Sequence, residues 1–547
     1  MSSSLFDELD SVSTTLCDIL AKYVDACAKL RDHYFRESVS SKLDKLLGRV
    51  ANELELVASY GSRLKQAESS MKVVRNSSPS TVPISVLPPE ILARIFHIVV
   101  DDQPEPFDTT HAPFQVALSF PKYPETLSHV CSRWRQVSIT SHALWTRVDL
   151  VLHHPLGPGF LARAKTHVDR VGELPLDVHM FDPTRRQPAF RYCEPHKFED
   201  FDFLAFAETP MSALKLTSCH GLHDEHYNFI CYCILNCAQQ TLKHLVIRNT
   251  CDRAGSHCFI ESTYDPHDPN SLQIDLSAQL LEGFWCSTSV LHLAGLYPYW
   301  TSRAYHHLVD LRLGSDRLQG RVPITEAQMI GILKSSPGLR VFHLRLELMD
   351  ALPDNAPTSV IRLDELESLN LSSPNVNPSQ VLRHIIPGQK PLQLSIYDQP
   401  TDVVEQFLMR SNVTQLRMVY WETYPPVNAL CLCPNLRVLV LDVWGNIKHV
   451  SFQTTPEQDG EGILATPIPI QTLYILRCEG MDLAELQQIV EKHSVQELTL
   501  WNTYPKVNTG HNSGGREAYE SDVSALCPVV NYLSGRDESP MVDWDLF

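Results

Sequence analysis

The sequence predicts a mixed fold of the α+β, α/β-repeat kind: N-terminal helices, a three-helix module, then an irregular array of strand–helix units. Three observations predict it. Residues 43–64 repeat apolar side chains in alternating steps of four and three. Residues 87–150 hold two amphipathic helical segments on either side of a proline-rich stretch. From about residue 174 onward, a short apolar triplet, L-x-x-L-x-L, recurs almost to the C-terminus.

In the N-terminal region, 1–75, the reading is helical. Leu43, Leu47, Val50, Leu54, Val57 and Leu64 form an a/d stripe with Lys, Arg and Glu around it, interrupted at Gly61. Such a stripe suits either a hairpin packed within the chain or self-association through 43–64. Residues 76–86 begin with the small, polar, Pro-containing run NSSPSTVP and read as a linker. Next comes LPPEILARIFHIVV. Pro89 fits a first helical position, where its missing N–H costs nothing, and Glu90 favours the positive end of the helix dipole. Ile91, Leu92, Ile95, Phe96 and Val99 then fill one apolar face. Residues 101–126 carry five prolines and read as a long internal loop. Leu127, Val130, Cys131, Trp134 and Val137 are expected to share the face of a second helix, with Leu144 and Trp145 closing the module and VDLVL opening a first strand.

The triplets fall at Leu242/Leu245/Ile247, Leu308/Leu311/Leu313, Leu339/Phe342/Leu344 and Leu366/Leu369/Leu371, then at Val413/Leu416/Met418, Leu436/Leu439/Leu441, Ile470/Leu473/Ile475 and Val495/Leu498/Leu500. Shorter copies sit at Leu214/Leu216, Leu291/Leu293 and Leu392/Leu394. The spacing clusters around the leucine-rich-repeat period, loosened by insertions. Helices are expected between triplets. Thr325 with Gln328 starts one as a capping box, ended by Pro337-Gly338. Asn377-Pro378 starts another, running past Ile385 to Pro387-Gly388, and Asp482 with Glu485 opens a third. A strand with inward-pointing leucines and a covering helix buries little alone and must stack, which predicts a solenoid over 151–533. The same alternation is compatible with a compact α/β domain. An acidic tail, 534–547, follows, in which Trp544 and Phe547 are placed to cap the last repeat.

Composition narrows the function. The 547 residues are 43% hydrophobic and 20% charged, enough for two to four units at roughly 100–200 residues per domain. A net charge of -18 with no basic block disfavours nucleic acid and anionic membranes as partners. The acidic start, with Asp7, Glu8 and Asp10, is not a signal peptide, and no run of 18 apolar residues suggests a spanning helix. Fifteen scattered cysteines fit reduced thiols in the cytoplasm or nucleus.

Residues 87–150 resemble an F-box, in the divergent style of mushroom-forming fungi, on the strength of LPPEILARIF at one end and LSHVCSRWRQVSITSHALWTRVDL at the other. F-box proteins often carry leucine-rich repeats downstream. The resemblance implies a substrate-receptor subunit of an SCF-type ubiquitin ligase. Leu87, Pro88, Ile91, Leu92 and Ile95 match the positions that insert into a Skp-type adaptor, and Val130 and Trp134 match the later helix that joins that surface. Through the adaptor the chain would reach a cullin and a RING subunit, while the repeats hold a protein target. It would do no chemistry itself and raise the local concentration of target lysines. The alternative is a repeat scaffold without a ligase partner.

Other constellations point away from chemistry. Cys231, Cys233 and Cys237, near Cys219, His220 and His223, lack the paired spacing of zinc knuckles and read as core thiols, as do Cys431 and Cys433. No phosphate-binding loop, nucleophile elbow or zinc-protease motif occurs, so neither a cofactor nor an enzyme is expected. Trp421, Tyr424, Trp444 and Trp501 lie near repeat strands, where aromatic side chains serve either packing or recognition.

Overall fold

The computed structural model describes residues 2–36, 43–77, 83–104, 106–108, 117–183, 209–219, 221–236, 241–249, 257–268, 270–314, 322, 324–350, 352, 359–397, 401–420, 430, 432–443, 469–481, 483–505, 523–535, 537, 539–541 and 544. The chain divides into two units, Met1–Leu92 and Ala93–Phe547. Among the described residues no helix is long and apolar enough to cross a membrane.

Two helices of 35 residues dominate the first unit, α1 (Ser2–Arg36) and α2 (Leu43–Ser77). The Tyr23 hydroxyl of α1 donates to Glu53 Oε1 of α2 at 2.6 Å. Tyr23 precedes the end of α1 by about as much as Glu53 follows the start of α2, so the chain turns back on itself and the two helices meet at this bond. Helix α2 runs through Gly61 unbroken. Helix α1 has its own stripe in alternating steps of four and three: Leu5, Leu9, Val12, Leu16 and Ile19, all exposed, as are Leu47, Leu54, Val57 and Leu64 of α2.

Helix α3 (Pro89–Asp101) begins at the expected proline, and the boundary between the units falls within it. In the second unit, the stretch expected as one loop contains a short antiparallel pair, Phe107–Asp108 with Ala117–Leu118. Its far end is tied back by Gln103 Oε1, which accepts the N–H groups of Lys122 and Tyr123 at 2.9 Å each. The helix expected next is two helices, α4 (Glu125–His129) and α5 (Ser132–Thr140). Cys131 is extended between them, and its sulfur accepts the Trp134 N–H at 3.4 Å, capping α5. A side chain that caps a backbone donor competes with helix continuation, so the single expected face is split. Leu127 and Val137 are buried, whereas Val130 and Cys131 are exposed. Trp145 is fully buried; its Nε1 donates to Ser138 O at 2.8 Å, and the Arg170 guanidinium lies 4.3 Å from its ring centre.

Fourteen strands then form one sheet: β1 (Arg147–Val151), β2 (Leu176–Asp182), β3 (Met211–Ser218), β4 (His244–Asn249), β5 (Val290–Ala294), β6 (Asp310–Gly314), β7 (Val341–Leu344), β8 (Ser368–Leu371), β9 (Leu392–Tyr397), β10 (Val413–Tyr420), β11 (Val438–Val443), β12 (Thr472–Leu476), β13 (Glu497–Trp501) and β14 (Val529–Leu533). Each strand pairs in parallel with the next one along the chain, so strand order follows chain order from β1 to β14. The sheet is open, not a barrel.

Parallel neighbours need long crossovers. Helices lie in several of them: α6 (Gly157–Val171), α7 (Asp224–Asn236), α8 (Ala278–Trp285), α9 (Glu326–Ser335), α10 (Pro378–Leu382), α11 (Asp402–Arg410) and α12 (Leu483–His493). The α9 capping box is present, with Gln328 N donating to Thr325 Oγ1 at 3.2 Å and Thr325 N to Gln328 Oε1 at 2.9 Å. Helix α10 is shorter than expected. Ile385–Pro387 leaves the helix to pair with Ile361–Leu363, and Gly388 sits so close to Asp364 that a Cβ would lie 2.3 Å from its carbonyl oxygen. Asp482 lies outside the described residues.

The triplets explain the sheet. Their central positions sit opposite one another strand after strand, from Leu214 through Leu245, Leu291, Leu311 and Phe342 to Leu369, Leu394, Leu416, Leu439, Leu473 and Leu498. The third positions, two residues on, make a second row, and both rows are buried throughout. Each such leucine contributes about 1.5–3 kcal/mol by leaving water.

Candidate functional site

The seven residues singled out on the helical module have distinct environments. Ile91 is 47% exposed and Val130 57% exposed, while Leu92 is fully buried. Pro88 is exposed, and Leu87, Ile95 and Trp134 are half-buried. The Trp134 ring packs on Phe96, with centroids 4.8 Å apart and planes tilted by 53°. Leu92 and Phe96 are therefore core residues, and Ile91 and Val130 are apolar side chains left uncovered.

A second surface follows from strand alternation. Residues between the two leucine rows point to the opposite sheet face, and there the sequence is polar and aromatic. Toward β5 and β6, Asp310 is the hub, with His292 Nε2 at 3.0 Å and Arg312 Nη2 at 2.8 Å. Burial alone would disfavour its charge, but these two neighbours outweigh that and hold its carboxyl at about 2. His343 on β7 is pushed down to about 3 by burial, helped by the Arg312 guanidinium. Toward β10–β12, fully buried Asp442 receives Arg417 Nη2 at 2.6 Å and Arg477 Nε at 2.9 Å.

The chain's C-terminal part lies on this same face. Trp501 Nε1 donates to Asp537 O at 3.1 Å. Met541 is buried against Val440 and Leu476, with Val438, Tyr474, Trp501 and Trp544 around them. Asn370 Nδ2 of β8 donates to Trp544 O at 3.0 Å. From β13 to β8 is five strand intervals, about 24 Å at ~4.8 Å each, a distance that the seven residues from Asp537 to Trp544 can span. Trp544 was expected at the last repeat; it reaches back to β8 instead. Nothing local in the sequence marks that return. Trp421, Tyr424, Trp444 and Phe547 lie outside the described residues.

The cysteines do not converge as ligands among the described residues. Cys233 is buried, Cys231 is half-buried with its thiol pushed up to about 11 by burial, and Cys433 is buried; Cys237, His220 and Cys431 lie outside the described residues. His223 has other company: the groups with metal-ligand proximity are His153, His223 and Glu225, and Asp182, His223 and His226. The adjacent letters His223-Asp224-Glu225-His226 were the available sequence signal. A groove of about 750 Å³ beside the starts of β9–β12 is lined by Asn412, Thr414, Gln415, Asn435, Arg437 and Gln471 among others, a set without carboxylate, imidazole or thiol.

No protein-family model matches the chain, and no curated protein matches it.

Proposed function

We propose that this chain is a substrate receptor of an SCF-type ubiquitin ligase, with the 87–150 helices binding a Skp-type adaptor and a leucine-rich-repeat-like solenoid holding a protein target in the cytoplasm or nucleus. The observation that carries the reading is the exposure of Ile91 and, separately, of Val130, apolar side chains at two positions where the F-box resemblance calls for adaptor contact. The solenoid reading is supported by strand order that follows chain order and by two leucine rows in register, the arrangement that stacked repeats produce. The adaptor would bring cullin and RING subunits to a target held by the repeats. The exposed stripe over 43–64 supports self-association of α2 with a second copy.

Co-expression with a Skp-type adaptor tests the proposal. The wild-type chain co-purifies with adaptor and cullin, and the double variant Ile91→Asp, Val130→Asp does not, because two buried, unpaired charges cost several kcal/mol, about what a modest interface provides. Both positions are exposed, so the variant should keep the circular dichroism of the parent. Unchanged adaptor binding by this variant would falsify the residue assignment. Recovery of other proteins without adaptor or cullin would instead favour the repeat scaffold.

A further inference from the structure

We infer that His153, His223 and Glu225 form a binding site for a divalent transition-metal cation, with Asp182 and His226 as the groups that position it. The five side chains come from three neighbouring pieces of the fold: the residue pair after β1, the end of β2, and the entry to α7. Strand pairing of β1 with β2, and of β2 with β3, brings them together although His153 and His223 are 70 positions apart.

The geometry separates an inner and an outer set. His153 Nε2 lies 2.9 Å and His223 Nδ1 3.1 Å from Glu225 Oε2. The other ring nitrogens of the same two histidines, His153 Nδ1 and His223 Nε2, lie 3.2 and 3.1 Å from Asp182 Oδ2. His226 adds its Nε2 at 3.3 Å from that oxygen, while its Nδ1 accepts the backbone N–H of His223 at 3.2 Å. That last hydrogen bond makes Nδ1 of His226 an acceptor, so in the neutral ring the proton sits on Nε2, toward Asp182. Asp182 is buried and ionised carboxylates accept hydrogen bonds only, so it draws an N–H from His153 and from His223.

The consequence falls on the far side of two rings. With the N–H of His153 Nδ1 and of His223 Nε2 given to Asp182, the lone pairs of His153 Nε2 and His223 Nδ1 face Glu225. Two imidazole lone pairs and a carboxylate oxygen then converge within 4.8 Å of one another. Three acceptors at such separations need a positive centre among them. A carboxylate that receives the second N–H of ligating histidines is the usual outer arrangement of such sites, where it fixes the tautomer and ring orientation. Two imidazoles and one carboxylate suit zinc and its neighbours rather than calcium or magnesium, which prefer all-oxygen sets. The three ligand side chains are about one-fifth exposed (17%, 23% and 20%), so an ion has access and keeps open positions for water.

The rival account is proton-only: both histidines doubly protonated between the two carboxylates, with no metal. Tag-free full-length protein, stripped with a chelator and dialysed into buffer at neutral pH, distinguishes them by titration with zinc and, separately, cobalt. One zinc ion per chain is expected, with a cobalt spectrum lacking thiolate charge-transfer bands. His223→Gln and Glu225→Gln each weaken zinc binding at least tenfold, Asp182→Asn weakens it ~10–100-fold as an outer-shell change, and Cys231→Ser leaves it unchanged. Chelation lowers the melting temperature of the wild type and not that of His223→Gln. Absence of stoichiometric zinc uptake by folded wild-type protein overturns the inference, as does uptake that survives the His223→Gln, Glu225→Gln double variant.

Discussion

In the fourteen-stranded sheet and in the α1–α2 hairpin, leucines recur at the period of the local structure, yet they end in opposite environments. Leu369, Leu416 and Leu473 are fully buried, whereas Leu16, Leu54 and Val57 stand in water. The difference lies in what each unit offers its neighbour. A strand–helix unit presents the same apolar edge on both sides, so the next unit in the chain covers it, and the process repeats. A pair of helices offers no such repeating edge, and stripes of the a/d type are covered only when more helices join. The sheet's apolar rows are covered by its own repetition; the stripes of α1 and α2 stay exposed.

The largest test of that contrast is inside the sheet. Asp442 is fully buried between Arg417 and Arg477. Asp442→Ala leaves two guanidinium groups without their carboxylate and should destabilise the second unit by about 3–5 kcal/mol, read from the urea midpoint. A change under about 1 kcal/mol would mean that solvent or another carboxylate replaces the pair, and that this face is far wetter than its geometry indicates.

Next in size is the C-terminal segment. Removing residues 536–547 exposes Val440 and Leu476 and deletes the buried Met541 with the partly buried Trp544. At about 1.5–3 kcal/mol for a fully buried apolar side chain, truncation should cost roughly 2–3 kcal/mol. Trp501 fluorescence should shift to the red as Met541 leaves it. An unaltered melt would show that the segment rests on the sheet without holding it.

The same sheet should respond to acid. His343 titrates ordinarily near 6.5 and is held at about 3 by burial, so the native state binds fewer protons than the unfolded chain across that interval. Its stabilisation is complete above about pH 6.5 and is lost as the pH falls toward 3, at up to about 1.4 kcal/mol per pH unit. Asp310, lowered from 3.8 to about 2, adds stability above pH 3.8 that disappears below it. His343→Gln should flatten the melting-temperature curve between pH 6 and 4, and a slope identical to that of the parent would remove His343 from the account.

What was legible in the residues follows the same division. The leucine triplets announce the strands because a period of two with fixed burial leaves little freedom of register, and Leu245, Leu311 and Leu439 fall on one row as that pattern requires. The Thr325–Gln328 capping box was readable for a similar reason: both partners are local. The break at Cys131 was not, since a cysteine sulfur taking over a cap leaves the apolar spacing of Leu127, Val130 and Trp134 untouched. Trp544 on Asn370 and His153 beside Glu225 are joined by topology alone, across 174 and 72 positions of chain. The α1 stripe, by contrast, stands in the sequence as openly as that of α2.

The smallest expected change in folding energy is also the sharpest test of the hairpin. Leu54 and Val57 are exposed, so replacing both by Lys should alter the stability of the folded chain by no more than about 0.5 kcal/mol, the usual range for surface positions. Association is another matter. Two lysines at seam positions would place two like charges from each copy at the centre of a paired stripe, where burial of a cation without a partner is costly. Sedimentation velocity of the parent chain should therefore show a concentration-dependent dimer, and the Leu54→Lys, Val57→Lys chain should sediment as a monomer with the same melting temperature. A parent that is monomeric at every concentration would leave the exposed stripe without a second copy, and the contrast between the two regions would then rest on the sheet alone.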